Sequence, residues 1–271
     1  MGLIISNSDC KEDFPLSASE KRIDSSRVSF IVRRKIRNLA GRRRLGAFWL
    51  ILHPIVLSLV YLFVFTVIRS SPNSVNLFIG ISMFNMFSSS VRSGVNSVSD
   101  FSAGIKAERV RTGVITRAML NYRVIDVLLQ SIGVSLILTL GLDVAIEGIV
   151  CFILLSLIMC ILAEGVALNL SLLVRRVPDL SNLIDYFLLL IFFGSPILYP
   201  ISMTSGVHYE INRYNPISFF VEAVRQYAGT EESFWEIFGT EAKFIVGLLI
   251  LLSLTGYRTL DRLRWEVSNW S

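Results

Sequence analysis

The sequence predicts an all-α, polytopic membrane protein. Six transmembrane helices follow an N-terminal amphipathic interface helix, with a re-entrant helical hairpin on the outer side and both termini in the cytoplasm. Three observations lead there. First, 53% of the 271 residues are hydrophobic and only 17% are charged, whereas a soluble domain carries about a quarter charged residues. Second, the charges are clumped and separated by long apolar runs. Third, Arg42-Arg43-Arg44 opens a run, 47–68, without a formal charge. At roughly 1.5 Å per residue that run crosses a hydrocarbon core of about 30 Å.

Residues 1–26 are polar, mixed in charge and lack the apolar core of a cleaved signal peptide. From 27 to 46, Val28, Val32, Ile36 and Leu39 recur at helical spacing among Arg33, Arg34, Lys35 and Arg37. This reads as a basic interface helix on the inner membrane surface, which anchors the chain or also flanks a partner's docking site. The transmembrane domain covers 47–260, and 261–271 form a cytoplasmic tail. Span one is 47–68. Its arginines snorkel to phosphates, and Trp49 suits headgroup level.

Span two, 75–95, is rich in Ser82, Asn85, Ser88, Ser89, Ser90 and Ser93. Such residues pack against neighbouring helices or face water rather than lipid. Arg92 near its inner end either snorkels or lines a pathway. Residues 96–117 make the longest cytoplasmic connection, in which Gly104 and Gly113 read as breaks between two short helical pieces. Span three, 118–140, carries Asp126 near its start, and 141–143 turn outside. Span four, 146–174, is long enough to tilt or project inward. It holds Glu164, a lone acid that must be neutral, paired or beside water, and whose role is more readily structural than catalytic. Span five, 180–198, is aromatic and ends at Pro196 and Pro200, which stop a helix. Outside, an apolar stretch from Ile217 to Ala228 is too short to cross and reads as the hairpin. Span six is 243–257.

Charge supports this orientation. Twenty-one of the 26 lysines and arginines fall on inner segments and four, Arg69, Arg213, Arg225 and Lys243, on outer ones. That satisfies the positive-inside rule. The net charge of +5 therefore needs no nucleic acid as partner. Cys10, Cys151 and Cys160 supply no disulfide framework, and two histidines make a metal site a poor fit.

Four motifs in order resemble type-2 ABC exporter permeases. They are Arg44-Leu45-Gly46-x-x-Trp49 with Leu52-His53-Pro54, Ser195-Pro196-Ile197-Leu198-Tyr199-Pro200, Asn215-Pro216-Ile217 through Glu222-x-x-Arg225, and Tyr257-Arg258-Thr259. The last is similar to the ending of capsular polysaccharide export permeases of Gram-negative bacteria. His53 departs from the family's usual Glu or Asn. The resemblance implies a homodimeric channel in the bacterial inner membrane and two copies of a separate ATP-binding cassette subunit, which carry the ATP and Mg. It also implies a periplasmic adaptor, an outer-membrane export protein and a polysaccharide cargo, capsular, lipid-linked and acidic. No cofactor is expected on this chain, and membrane lipids surround it.

The residues themselves agree on one point. None of the 17 glycines precedes a lysine, so the chain has no phosphate-binding loop of the Gly-Lys-Ser/Thr kind and is not its own ATPase by that route. Arg44, Phe48, Trp49, His53, Arg92 and Tyr199 are the candidates for the substrate path. Gly104, Lys106, Arg109, Arg111, Arg175 and Asp179 are the candidates for coupling to the ATPase, because only inner loops can receive its motion. Two alternatives stay open: an exporter of small hydrophobic molecules or lipids with the same fold, and a secondary transporter. The second lacks the paired interrupted helices it would show.

Overall fold

The computed structural model describes residues 18–40, 74–108, 112–229, 234–239 and 241–262, together with six helical positions between 52 and 63. Among the described residues every regular element is helical: α1 (Ala18–Ala40), α2 (Ser74–Glu108), α3 (Thr112–Leu140), α4 (Ile146–Leu168), α5 (Ser171–Arg176), α6 (Asp179–Gly194), α7 (Gly206–Arg213), α8 (Pro216–Tyr227), α9 (Phe234–Phe238) and α10 (Glu241–Arg262), with a 3-10 turn at Ile201–Met203. Three stretches are long and apolar enough to cross a membrane, Ser74–Asp100, Gly113–Leu140 and Ile146–Leu168, and Phe244–Arg258 is a shorter apolar helix.

Helix α4 is the centre. It packs against α2, α3, α8 and α10, and its composition fits: it is apolar on all sides, as a helix buried on several faces must be. Helix α3 lies on one side of α4 and touches α2, α10 and α1 as well. Leu77, Phe78, Ile81, Met83, Phe152 and Met159 lead the large core between α2 and α4. The serines of α2 are packed as expected of small polar residues between helices: Ser82 and Ser90 are fully buried, and Ser90 Oγ donates to the Met86 carbonyl at 2.8 Å.

Several boundaries differ from the sequence reading. Helix α1 starts nine residues earlier than 27, and its Val28 and Val32 are buried against Val114, Ile115, Ala118 and Tyr122 rather than turned to lipid. Helix α2 runs on unbroken for 35 residues to Glu108, so Gly104 is not a break. A single glycine inside a helix lowers its stability by only about 1 kcal/mol, which the continuing turns outweigh. Gly113 lies in the first turn of α3 and has nothing within 4 Å of a Cβ position. Span four is interrupted at Asn169–Leu170, where the backbone amides donate to the Val166 and Ala167 carbonyls and close the end of α4. Asn169 also reaches across, its side-chain nitrogen donating to the Leu252 carbonyl at 2.9 Å. Helix α6 stops at Gly194, four residues short of 198, and α10 extends past 257 to Arg262. Span one lies outside the described residues apart from the helical positions noted.

Two glycine contacts set helix spacing. A Cβ on Gly94 of α2 would meet the Glu164 carbonyl of α4 at 2.6 Å and the Ala167 Cβ at 2.8 Å. A Cβ on Gly256 of α10 would overlap the Gly165 carbonyl of α4. Gly247 of the same helix has nothing within 4 Å. Gly256→Ala is therefore expected to lower stability by about 1–3 kcal/mol through overpacking. Gly247→Ala should be neutral or stabilising by up to about 1 kcal/mol. Paired thermal melts of the solubilised variants check the contrast; equal melting points would mean the two helices are not in close contact at Gly256.

Candidate functional site

Ionic side chains gather at three places. The first lies where α2, α3 and α4 meet near the α1 end. Arg123 of α3 is 1% exposed and Glu164 of α4 is fully buried. The Arg123 Nε donates to Glu164 Oε2 at 3.2 Å and Nη2 donates to Oε1 at 3.2 Å. Nη1 donates to Asp126 Oδ2 at 2.9 Å, one helical turn on. Ser93 of α2 donates to Glu164 Oε1 at 3.0 Å. Lys35 of α1 reaches the same group, its Nζ 3.3 Å from Ser93 Oγ and 4.4 Å from the centre of the Tyr122 ring. Burial pushes the Lys35 ammonium below its ordinary range, and the Glu164 charge opposes that shift. Glu164 is thus not a lone acid. Buried charges persist when paired and hydrogen-bonded, and this set ties four helices together.

The second place is between α2 and α6. Arg92 Nε donates to Asp185 Oδ1 at 2.6 Å, with both side chains about half exposed. Helix α6 buries Leu188 and Phe192 on this side and leaves Leu183, Tyr186, Phe187, Leu190 and Phe193 on the other, each about 60–70% exposed.

The third is at the opposite end of α4. Arg225 of α8 is fully buried. Its Nη1 donates to the Pro196 carbonyl at 2.7 Å, the Tyr199 carbonyl at 3.1 Å and Glu222 Oε1 at 2.7 Å. Its Nη2 donates to the Asn76 carbonyl at 2.9 Å and the Ile197 carbonyl at 2.8 Å. Glu222 Oε1 also accepts from the Ile201 amide at 3.0 Å. The turn after α6 has few internal backbone bonds, so the guanidinium fork satisfies its carbonyls. Helix α8 starts beside it because Asn215 caps it, accepting from the Ile217 amide at 3.0 Å, while Pro216 takes the first-turn position that lacks a partner for an N–H. Asn215 Nδ2 donates to Ser195 Oγ at 2.7 Å, and Asn212 Nδ2 donates to the Gly194 carbonyl at 3.1 Å. Two motifs that lie far apart in the sequence are therefore one structural unit.

Of the residues singled out from sequence, Arg92 is paired with Asp185 as above. Tyr199 stands at the third cluster, its hydroxyl donating to the Phe193 carbonyl at 3.3 Å and lying 3.3 Å from His208 Nε2. These two are on different clusters. Gly104 and Lys106 lie on the last turns of α2, Arg175 on α5, and exposed Asp179 begins α6. Arg44, Phe48, Trp49, His53, Arg109 and Arg111 lie outside the described residues. Asp185 escaped notice in the sequence, although an acid inside an aromatic span is itself a signal. So did the partnership of Arg123 with Glu164, because the two are 41 positions apart.

Comparison with known proteins gives one finding. No curated protein matches the chain. The sequence profile described as ABC-2 type transporter matches residues 26–228. That interval holds α1 from residue 26 on, the three long apolar stretches of the described residues and the whole Arg225 cluster. The match covers about three quarters of the chain, through α8, and the chain belongs to the ABC-2 type transporter family.

Proposed function

We propose that this permease subunit exports an acidic, lipid-linked capsular polysaccharide across the bacterial inner membrane, along a path between two copies of the chain. Energy comes from two copies of a separate ATP-binding subunit. A periplasmic adaptor and an outer-membrane export protein carry the polymer onward. Six spans have both ends inside, and α7 and α8 form a hairpin that dips into the outer leaflet.

The observation that carries this reading is the Arg92–Asp185 pair. It sits half exposed between two apolar helices. A charge pair turned to hydrocarbon is costly, so this one faces water or a partner. The exposed α6 face, turned away from buried Leu188 and Phe192, carries Tyr186, Phe187 and Phe193, rings on which sugars stack. A second copy packed along part of that face would cover the apolar remainder and leave the ion pair on the shared path. The resemblance of the Tyr257-Arg258-Thr259 ending to capsular polysaccharide export permeases supports the cargo. The last turns of α2, with Lys106 and the adjoining Arg109 and Arg111, receive the ATPase, and Arg175 and Asp179 make the secondary contact.

Charge reversal tests the reading. Arg92→Glu or Asp185→Arg alone should lower surface polymer about tenfold or more, the equivalent of ~1.4 kcal/mol. The double swap should restore most of it. Polymer is measured by surface antibody, alongside membrane protein level. Normal export in both single variants returns Arg92 to snorkelling. Intact polymer with lost efflux of apolar compounds favours the small-molecule exporter.

A further inference from the structure

Helix α8 is only 12 residues long and packs beside α4. Its C-terminal end lies against the start of α4, where a Cβ on Gly148 would touch Ala228 at 2.8 Å. Its first turn lies near the middle of α4. Below that first turn no helix among the described residues takes its place, and a groove of about 180 Å³ remains. Pro216 and Ile217 close its top, Val91 of α2 and Leu249 of α10 form its walls, and Ala163 and Val166 of α4 form its back. All its lining side chains are apolar.

Three physical limits narrow the occupant. Water is excluded, because an apolar cavity of about 150 Å³ stays dry and accepts hydrocarbon instead. A helix is excluded, because one turn about 10 Å wide takes more than roughly 400 Å³. What fits is a single hydrocarbon chain, with room for about six to eight carbons. The groove's lower rim includes Leu170, and within two turns the chain carries Arg176 at the end of α5. A cation there complements a phosphate headgroup. We propose that this groove is a lipid site, filled by one acyl chain of an anionic bilayer phospholipid from the leaflet on the α1 side. The lipid completes the wall that the half-length helix α8 leaves open.

The site stands apart from the transport reading and is tested on the idle protein. Full-length protein is reconstituted in nanodiscs with phosphatidylglycerol carrying a mid-chain diazirine, illuminated, and mapped by peptide mass spectrometry. The reference is ordinary lipid contact at Ile132 and Leu136, which are exposed on α3. Labelling at Met159 and Leu170 is expected several-fold above that reference. Ala163→Phe, which fills the groove, should bring it down to reference level and leave Ile132 and Leu136 unchanged. Val166→Phe repeats the filling from a neighbouring turn, in case the first variant does not fold. Phosphatidylcholine bearing the same diazirine should label less, and equal labelling overturns the headgroup assignment. Reference-level labelling of the native groove, or labelling that persists in both filled variants, overturns the site. Labelling by a glycolipid-anchor probe alone assigns the groove to cargo and overturns it equally.

Discussion

Replacing Arg225 with methionine will cost the protein the packing between α8 and the turn after α6. The substitution keeps much of the side-chain length but leaves Glu222 buried with no cation and four carbonyls, from Asn76, Pro196, Ile197 and Tyr199, without their donor. Breaking a buried ion pair from one side costs about 3–5 kcal/mol, and unsatisfied buried acceptors add to that. This approaches the whole stability of many domains, so the expected result is a large fall in folded protein recovered from membranes. Arg225→Lys should not rescue it. A lysine has a single charged nitrogen and cannot serve, from one rigid fork, carbonyls on both sides of the turn. Thermal melts and protease sensitivity of the 195–229 region read the effect; a lysine variant with native stability would show that charge alone holds this packing.

The second large effect belongs to the inner network. Arg123→Met and Glu164→Gln should each destabilise by about 3–5 kcal/mol, since each leaves partners buried without full compensation. The double variant should cost clearly less than the two together, with a coupling of about 1–3 kcal/mol. Denaturation of the four proteins in one detergent measures the cycle. Additive losses would mean that the pair at 3.2 Å is not a working contact. Ser93 supplies an internal control. It bonds the same carboxylate through one hydrogen bond from a neutral hydroxyl, so Ser93→Ala should cost about 1.5–3 kcal/mol, less than loss of the ion pair.

The helices were legible in the sequence where hydrophobic length decides them. Span four begins at Ile146 in both accounts because a charge-poor run starts there. What was not legible is whatever depends on contacts between distant segments. Arg123 and Arg225 count as inner and outer charges in the positive-inside comparison, yet both are buried ion-pair partners. A charge count has no access to depth. The 96–108 stretch is polar enough to read as loop, but the packing of Val98 with Val28, Val32, Val114 and Ile115 keeps it helical. Phe192 could have faced lipid; it packs against Phe84 with ring centres 5.0 Å apart. The Glu222-x-x-Arg225 spacing puts both side chains on one helical face, but neither their pairing nor the carbonyls Arg225 serves was read from the sequence.

The length of α2 has a mechanical consequence. The helix lies close against α4 at Gly94, where a Cβ would meet the Glu164 carbonyl at 2.6 Å. From there it runs 14 residues to Glu108 and 20 residues to Ser74, or about 21 Å and about 30 Å. A stiff rod tilting about that point is a lever with unequal arms. A push of about 1 Å at the Glu108 end becomes a stroke of roughly 1.4 Å at the Ser74 end. The long arm is also latched, for the Asn76 carbonyl near its tip is held by Arg225. Whatever force swings the short arm must therefore either carry α8 with it or release that one hydrogen bond.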